Sequence, residues 1–445
     1  SSACKIILYL IPLIVAPFLT RTLGSDNLGN YSYFNTFTSY AGLIANLGIA
    51  IYGQRVIANC RDDSDKLNKT FWSLYLVHFV FSIIAFGCYF SCYFIFDIKD
   101  GVMFLLQGIF VIATIFDVTW LFYGLENFKI IVISNSVVKI FECALIFALI
   151  RSKEDIYVYT LLMSLITLLG QLIIFVFAFK NIKIVKISFQ DCKIHLKPLF
   201  LLFTSTVAVT LYTVFDKTLL GWFTSNDNVA FYEYSAKIIE VPKQILNTIG
   251  MVILPRACNS FEKGKEEEYK KYFNISIYMT SFLGMAFAFG LAAISNKLSI
   301  VYYGEDFAYC GGVILSMCPL ILIVLIGNIF RTEYIIPAKK DKVLTICIII
   351  SAVINLTLSA LLMPSLGIFG VVIGTLTADL FGTILQMIYS RNTYSIKKTI
   401  YVLLSFLCVF SNSLAVNAED IYGQGYFEYV VEDMGVAIVN YLGNE

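Results

Sequence analysis

Two charged residues, Asp216 and Lys217, stand side by side in an apolar stretch that covers residues 196–222. A stretch of about 20 apolar residues is long enough to cross a bilayer as a helix, and one charge at its centre costs roughly 2.5–3.5 kcal/mol. Adjacent residues on a helix point about 100° apart, so these two side chains do not face each other. Each charge therefore needs a partner on another helix, water or a charged ligand.

Polar residues continue from Lys217 along one face of the same segment. Thr206, Thr210 and Thr213 share that face, and the next apolar segment carries a second polar stripe. The members of the second stripe are Glu233, Lys237, Glu240, Gln244 and Asn247. Lipid cannot satisfy such stripes, so we expect both to face protein or water.

These stripes allow two interpretations. In the first, a substrate cavity is lined by Lys217, Lys237, Thr213, Gln244 and Asn247. In the second, Lys217 belongs to a structural ion-pair network or extends to the lipid headgroups. Asp216 and Glu240 are candidates for an ion pair or for a cation-coupling site, and Asp379, in a later glycine-rich segment, is a third. For Asp216 we favour pairing with Lys237 over coupling, because packed membrane interfaces more often hold structural charges.

Composition places these segments in a membrane. The chain of 445 residues is 58% hydrophobic and only 14% charged, whereas a soluble domain carries about 25% charged residues. Thirteen apolar segments of roughly 18 residues or more predict an all-α polytopic membrane protein. They cover roughly residues 3–20, 28–52, 71–96, 101–123, 130–150, 156–180, 196–222, 229–254, 273–296, 310–330, 342–363, 366–389 and 399–416. If these segments alternate across the membrane, most of the 32 Lys and Arg residues fall in loops on one side, which predicts a cytoplasmic N-terminus. The net charge of +1 gives no preference for nucleic acid.

The chain also contains an internal repeat. Residues 26–33 align with residues 227–234, and the same offset matches Asn46 with Asn247. Six segments repeat as six segments, and because six is even, both copies enter the membrane from the same side. The pattern predicts two parallel six-helix repeats that form two lobes around a central cavity, with the substrate between them.

The repeat divides the chain into four predicted parts. Residues 1–190 form an N-terminal six-helix lobe, and residues 191–395 form a C-terminal six-helix lobe. Residues 396–416 form one extra transmembrane segment, and residues 417–445 form an acidic tail for which no structure is predicted. Because the sequence begins without Met and its first apolar segment is short, we expect the natural chain to begin earlier.

Several short motifs lie at the ends of these segments. They are PFLTRTLG at 17–24, YGQR at 52–55, YTVFDKTLLG at 212–221 and LPR at 254–256. In these motifs and their spacing, which is kept over residues 5–395, the chain resembles bacterial polysaccharide repeat-unit flippases. Those proteins are the polysaccharide-transporter branch of the multidrug/oligosaccharidyl-lipid/polysaccharide exporter (MOP) superfamily.

The resemblance implies alternating access by two lobes around a cationic cavity, and an oligosaccharide carried on undecaprenyl pyrophosphate as the substrate. Cations suit the pyrophosphate, and hydroxyl or amide groups suit the sugars. The resemblance also implies roles for Arg21, Arg55 and Arg256, which occupy places comparable to arginines of the lipid II flippases. The expected location is the plasma membrane of a bacterium. The expected partners are the lipid-linked oligosaccharide, membrane lipids, and the glycosyltransferases and polymerase of the same pathway.

Two other functions stay open. A cation-coupled multidrug exporter of the same superfamily would use buried carboxylates such as Asp216, Glu240 and Asp379. A membrane glycosyltransferase or polysaccharide polymerase is the remote alternative, because Asp63 and Asp65 form an Asp-x-Asp motif, but in a short loop with no α/β domain around it. The chain has no phosphate-binding glycine loop and no cysteine spacing typical of a metal site. We therefore expect a transporter without enzymatic activity, cofactor or metal.

Three further expectations concern local structure. Lys139 and Glu142, at i and i+3, are expected to form a salt bridge. Asp117, Arg331 and Glu333 lie near the cytoplasmic ends of segments, where we expect them to be solvated. Gly370 and Gly374 indicate close helix packing. The two histidines are isolated, and the pattern assigns neither of them a role.

Overall fold

The computed structural model describes residues 2–390, apart from residues 97, 99, 264 and 339. The predicted extra segment (396–416) and the acidic tail (417–445) therefore lie outside the described residues. The described part of the chain is built from α-helices. They are α1 (Ser2–Leu23), α2 (Ser25–Asn46), α3 (Ile49–Cys60), α4 (Ser64–Ile95), α5 (Gly101–Thr114), α6 (Thr119–Gly124), α7 (Phe128–Leu149), α8 (Ile156–Ala178), α9 (Phe189–Phe223), α10 (Asn226–Glu262), α11 (Glu266–Leu298), α12 (Cys310–Met317), α13 (Pro319–Ile329), α14 (Asp341–Leu366) and α15 (Ile368–Ser390).

These helices have the lengths and surfaces of membrane-spanning elements. Among the described residues, nine helical stretches are long and apolar enough to cross a bilayer. The first, seventh and eighth predicted segments lie in α1, α9 and α10, which are not among these nine, and α9 and α10 carry the charged stripes. Large apolar side chains such as Phe94, Val102 and Leu361 are 72%, 58% and 68% exposed, as contact with lipid requires. The prediction of an all-α polytopic membrane protein is confirmed.

Local sequence sets the ends of the helices. α4 begins after Asp63, whose carboxylate accepts hydrogen bonds from the backbone N–H groups of Asp65 and Lys66 (3.1 Å each). α9 begins after Ser188, which forms a capping box with Asp191. Both caps satisfy backbone donors that a helix N-terminus leaves without partners.

The predicted segment at 28–52 is not one continuous helix. The backbone is left-handed at Leu47 (φ 41°) and Gly48 (φ 79°), and α3 starts directly afterwards. A left-handed residue ends a helix, and glycine adopts this conformation without strain. His78 of α4 lies at the break, with Nδ1 3.1 Å from the carbonyl oxygen of Ala45. This contact satisfies one of the carbonyl groups that the end of α2 leaves open.

One compact unit contains the described residues up to Glu233, together with Ser299–Ala308 and Ala360–Ile368. Its core includes Phe71 and Trp120, which are almost fully buried and whose rings stack with centroids 5.5 Å apart. Lys139 and Glu142 form a salt bridge of 2.6 Å in this unit, so that prediction is confirmed.

The N-termini of α2 and α10 meet within this unit through reciprocal contacts. Ser25 Oγ donates to Asp227 Oδ1 (2.5 Å), and Asn226 Nδ2 donates to Asp26 Oδ1 (3.2 Å). The sequence repeat aligns Asp26 with Asp227, and the same offset matches Ser25 with Asn226. Each donor therefore bonds to the counterpart of the aspartate that follows it in the sequence. A Cβ atom at Gly29 would lie 1.8 Å from the carbonyl oxygen of Asn226, and only glycine permits this approach.

A second compact unit contains Tyr234–Leu298, Tyr309–Ser359 and the described residues from Phe369 onward. α12 and α13 form its interior, and most of their side chains are buried. A Cβ atom at Gly374 of α15 would lie 2.3 Å from Ser359 Oγ of α14. The close packing predicted at Gly374 is therefore confirmed.

Candidate functional site

The adjacent charges Asp216 and Lys217 bind two adjacent residues of the next helix. The Tyr232 hydroxyl donates to Asp216 Oδ2 (2.7 Å), and Lys217 Nζ lies 2.9 Å from Glu233 Oε2. α9 and α10 are joined by a turn at residues 224–225, so these contacts lie side by side in a helical hairpin. The two side chains leave α9 in different directions and meet separate partners, as their angular separation requires.

Burial makes both contacts necessary. Asp216 is 2% exposed, and the side chains of Lys217 and Glu233 are 17% and 24% exposed. A buried charge is strongly unfavourable unless it is paired or hydrogen-bonded. The phenol and the carboxylate of α10 therefore compensate the charges that α9 brings into an apolar region.

α2 adds further polar groups to the hairpin. The hydroxyl groups of Tyr40 and Thr218 share a hydrogen bond of 2.8 Å. A Cβ atom at Gly221 of α9 would lie 2.1 Å from the ring of Tyr33, so the two helices approach closely at this glycine. We name the following residues the hairpin cluster: Tyr40, Asp216, Lys217, Thr218, Tyr232 and Glu233. This cluster presents an ammonium group, two carboxylates and three hydroxyl groups, which suit ionic and hydrogen-bonding ligands.

Lys237 lies further along α10, in the second unit. Its side chain is exposed, and Nζ lies 4.1 Å from the centre of the Tyr234 ring, a cation–π contact. Its predicted place in a cavity and its predicted pairing with Asp216 stay predictions.

Glu240 and Gln244 lie one helical turn apart and bond to each other. Gln244 Nε2 donates to Glu240 Oε1 (2.7 Å), and Lys243 Nζ lies 2.6 Å from Glu240 Oε2. Of the two roles predicted for Glu240, an ion pair is the one that these contacts display.

A series of polar contacts leads from Asn247 to Asp379. Asn328 Nδ2 donates to Asn247 Oδ1 (2.8 Å), and the Arg331 guanidinium donates to Asn328 Oδ1. Arg331 also lies close enough to Asp379 of α15 to attract it electrostatically. Asn247 of the second polar stripe and Asp379 of the glycine-rich segment, both predicted as site residues, therefore belong to one polar network of the second unit.

The structure also places the other predicted residues. Arg21, at the end of α1, donates to the backbone carbonyl of Val301. Arg55 is exposed on α3. Thr213 is exposed, and its hydroxyl donates to a backbone carbonyl one turn earlier (3.3 Å). The side chain of Arg256 lies outside the part that the structure describes.

The expectation that Glu333 is solvated is wrong. The residue is 0% exposed and lies in a π-helical turn, Phe330–Ile335, that continues α13. The reason is tertiary packing, because neighbouring helices of the second unit bury most side chains of α13 and of the turn that continues it. A charged residue at the end of an apolar segment carries no sequence signal that separates this case from a solvated one.

His195 contacts two other helices of the first unit, although the sequence pattern assigns it no role. Its Nδ1 lies 2.9 Å from the Tyr52 hydroxyl of α3, and its Nε2 lies 3.1 Å from the Ser73 hydroxyl of α4. Burial lowers the pKa of His195, and the charge of Asp191 partly offsets this effect. The imidazole is therefore neutral at physiological pH and connects α9 to α3 and α4.

Comparison with solved structures identifies the fold. The lipid II flippase MurJ in an inward closed conformation superposes with a TM-score of 0.65 at 16% identity, over 99% of this chain and 97% of that chain. An inward-facing multidrug resistance MATE family transporter of the MOP superfamily superposes with a TM-score of 0.63 at 14% identity, over 89% of this chain and 96% of that chain. The fold is that of the MOP-superfamily transporters.

Sequence comparison then gives the family. The family described as polysaccharide biosynthesis protein matches residues 1–261, more than half of the chain. The chain belongs to this family.

Two relatives align with most of the chain, and both are described as O-antigen transporters. The one from Shigella dysenteriae is 26% identical over 378 residues, 83% of this chain and 93% of its own length. The one from Escherichia coli K12 is 22% identical over 391 residues, 86% of this chain and 93% of its own length. A Haloferax volcanii protein described as a glycan biosynthesis flippase is 22% identical over 200 residues, 43% of this chain and 41% of its own length. These relatives are transporters and flippases rather than enzymes.

Proposed function

We propose that this protein moves an oligosaccharide repeat unit, linked to undecaprenyl pyrophosphate, from the cytoplasmic to the outer leaflet of a bacterial plasma membrane. The observation that carries the proposal is the alignment of two O-antigen transporters with 83% and 86% of the chain. The transported unit would serve capsule, exopolysaccharide or another cell-surface glycan.

The charges of the membrane helices support the transport of an anionic, hydroxyl-rich group. Lys217 already binds an oxygen anion, the Glu233 carboxylate, and a phosphate oxygen can replace it because both accept charge-assisted hydrogen bonds. The Tyr40 and Tyr232 hydroxyls can donate to and accept from sugar hydroxyl groups. We assign further substrate contacts to the other residues predicted from the sequence. These are Lys237, Thr213, Gln244, Asn247, Arg21, Arg55 and Arg256.

Two repeats are part of this proposal. Residues 1–190 and 191–395 would act as the two lobes of an alternating-access cycle, with the N-terminus in the cytoplasm. The reciprocal hydrogen bonds at the N-termini of α2 and α10 support the repeat, because two equivalent helices related by an axis along the membrane normal make such paired contacts.

Deletion of the protein in its own bacterium tests the proposal. Synthesis of the lipid-linked precursor does not need a transporter, so the precursor is expected to accumulate while the surface glycan disappears. Expression of the intact protein should restore both amounts. Loss of surface glycan without precursor accumulation would place the protein in synthesis rather than in transport and would refute the proposal.

The same strain separates the proposal from drug export by a protein of the same fold. A multidrug exporter should leave the precursor and the surface glycan unchanged, and its deletion should increase sensitivity to organic cations. That result would favour roles for Asp216, Glu240 and Asp379 as cation-binding carboxylates instead.

A further inference from the structure

Glu333 differs from the other membrane carboxylates because no cation in the described structure compensates it. Its side chain is fully buried, and among the described residues no cation contacts its carboxyl oxygens and the Ser276 hydroxyl is the polar group beside them. By contrast, Glu240 and Asp379 each face a cation, and the Tyr232 hydroxyl donates to Asp216. An ionised carboxylate without donors or a cation is strongly disfavoured in an apolar interior.

The helix changes its backbone hydrogen bonding at Glu333. Pro337 has no N–H group, so it cannot donate to the carbonyl of Glu333, which is the acceptor four residues earlier in an α-helix. The Tyr269 hydroxyl of α11 donates to this carbonyl instead (3.0 Å). The segment Phe330–Ile335 widens into a π-helical turn, a feature that is frequent at functional sites.

The polar group beside the carboxyl suits an acid rather than an anion. Ser276 of α11 lies next to Glu333, and its hydroxyl is also buried. A carboxylic acid has one proton to donate, and one hydroxyl oxygen is enough to accept it. An ionised carboxylate has four lone-pair sites to satisfy, and a single hydroxyl cannot supply the donors.

The charged and titratable groups around this turn are engaged elsewhere. Arg331, two residues earlier, donates to Asn328 and faces Asp379. The Lys340 ammonium donates to the Tyr334 hydroxyl (3.1 Å) and lies over the Tyr334 ring. None of these contacts places a cation on the Glu333 carboxyl group in the part of the chain that is described.

We propose that Glu333 is a proton-binding site that couples a proton gradient to transport. Its carboxyl group is protonated in this conformation and is deprotonated when a rearrangement of the π-helical turn brings it into contact with water. The carboxyl O–H bond then breaks, water on that side of the membrane takes the proton, and the carboxylate later takes one proton from water on the other side. The coupling rests on the proposed transport function, whereas the protonation of Glu333 does not.

Infrared spectroscopy of the purified, full-length protein in lipid tests the protonation directly. At neutral pH the wild type is expected to show the C=O stretching band of a protonated carboxylic acid, and Glu333→Gln is expected to lose it. The matched control is the double variant Lys139→Met, Glu142→Gln, which removes a membrane glutamate together with its cation and should retain the band. If Glu333→Gln accumulates poorly, Glu333→Asp should shift the band rather than abolish it. A spectrum without a band that depends on residue 333 would overturn the proposal.

Transport by the same proteins in vesicles tests the coupling. With a lipid-linked oligosaccharide as the probe, an imposed pH gradient is expected to accelerate translocation by the wild type and by the control double variant. Glu333→Gln should translocate at a rate that does not respond to the gradient. An equal response of Glu333→Gln and the wild type would overturn the coupling. Absence of translocation by every protein would count against the proposed function, and the infrared band would still decide whether Glu333 binds a proton.

Discussion

Lys217 and Glu233 form an ion pair whose contribution depends on how little water reaches it. An exposed pair such as Lys153 and Asp306, with side chains 65% and 52% exposed, contributes about 0.2–1 kcal/mol. The side chains of Lys217 and Glu233 are only 17% and 24% exposed. Removal of one partner therefore leaves the other in an environment where an unpaired charge is costly.

A double-mutant cycle should reveal this dependence. Lys217→Met and Glu233→Gln are each expected to lower the melting temperature in detergent, and the double variant should recover part of the loss because no charge is left alone. We expect an interaction energy of about 1–3 kcal/mol. The control cycle uses Lys153→Met and Asp306→Asn, whose effects should be nearly additive. Strictly additive losses at Lys217 and Glu233 would show that their pairing does not stabilise the fold.

The same double variant distinguishes the two interpretations of Lys217. If the lysine serves only a structural network, the folded Lys217→Met, Glu233→Gln protein should export glycan normally. If Lys217 binds the pyrophosphate, this protein should fold and yet fail to export. Lys217→Arg should then keep part of the activity, since it retains the charge but presents a different geometry to the phosphate.

At the scale of helices, polar contacts connect α4 to the start of α9 and to the segment that precedes it, within the first unit. Trp72 Nε1 donates to the carbonyl of Lys183 (2.9 Å), and Lys69 forms a salt bridge of 2.8 Å with Asp191. His195 is the most deeply buried member of this set, at 5% exposed. The histidine therefore connects the start of α9 to α3 and α4 from a buried position, where the neutral imidazole is favoured over the charged one.

The buried His195 is expected to lower the stability of the folded protein in mild acid. Burial lowers the pKa of His195 in the folded protein below its usual value of about 6.5, so in mild acid the unfolded chain binds a proton that the folded protein does not. The stability is present above about pH 6.5 and falls as the pH drops toward the lowered pKa, by at most about 1.4 kcal/mol per pH unit. The melting temperature should depend less on pH for His195→Gln than for the wild type between about pH 7 and pH 5. Parallel curves for the two proteins would contradict this role.

Hydropathy was sufficient to predict the helices, because a bilayer requires about 20 apolar residues for each crossing. It did not predict the break at Leu47 and Gly48, because apolar residues continue through the break and hydropathy does not depend on the backbone conformation. Gly48 was the one local signal for the break. The π-helical turn before Pro337 was not predicted either. The proline shows in the sequence which backbone N–H group is absent, but it does not show whether the helix bends, ends or widens in response.

The site was predictable only where helix geometry decides it. The angle between adjacent residues required separate partners for Asp216 and Lys217, and the hairpin supplies them. That the partners are Tyr232 and Glu233 depends on the register of α9 against α10, which the short turn at residues 224–225 sets. Tyr232 could not be distinguished in sequence from an aromatic residue that only packs. The burial of Glu333 depends on the helices packed around α13, which no local pattern reports.

At the scale of the whole molecule, the distribution of Lys and Arg residues predicts the orientation of the helices in the membrane. Most Lys and Arg residues fall on one side if the helices alternate, and positively charged loops stay in the cytoplasm. α10 has 37 residues and is about 55 Å long, whereas the hydrocarbon core of a bilayer is roughly 30 Å thick. If α10 crosses the membrane, as its predicted apolar segment indicates, its two ends are expected on opposite sides.

Cysteine labelling can decide this orientation in intact cells. In a variant without the 11 native cysteines, Ser225→Cys and Lys265→Cys place one thiol just beyond each end of α10, and both positions are exposed. A membrane-impermeant maleimide should label residue 225 in intact cells and residue 265 only after permeabilisation. Lys186→Cys, in the loop before α9, should behave like residue 265, because α9 separates it from residue 225 by one further crossing. Labelling of 225 and 265 from the same side would refute the two parallel six-helix repeats. If residues 186 and 265 were labelled from outside and residue 225 only after permeabilisation, the repeats would stand and the cytoplasmic N-terminus would be wrong.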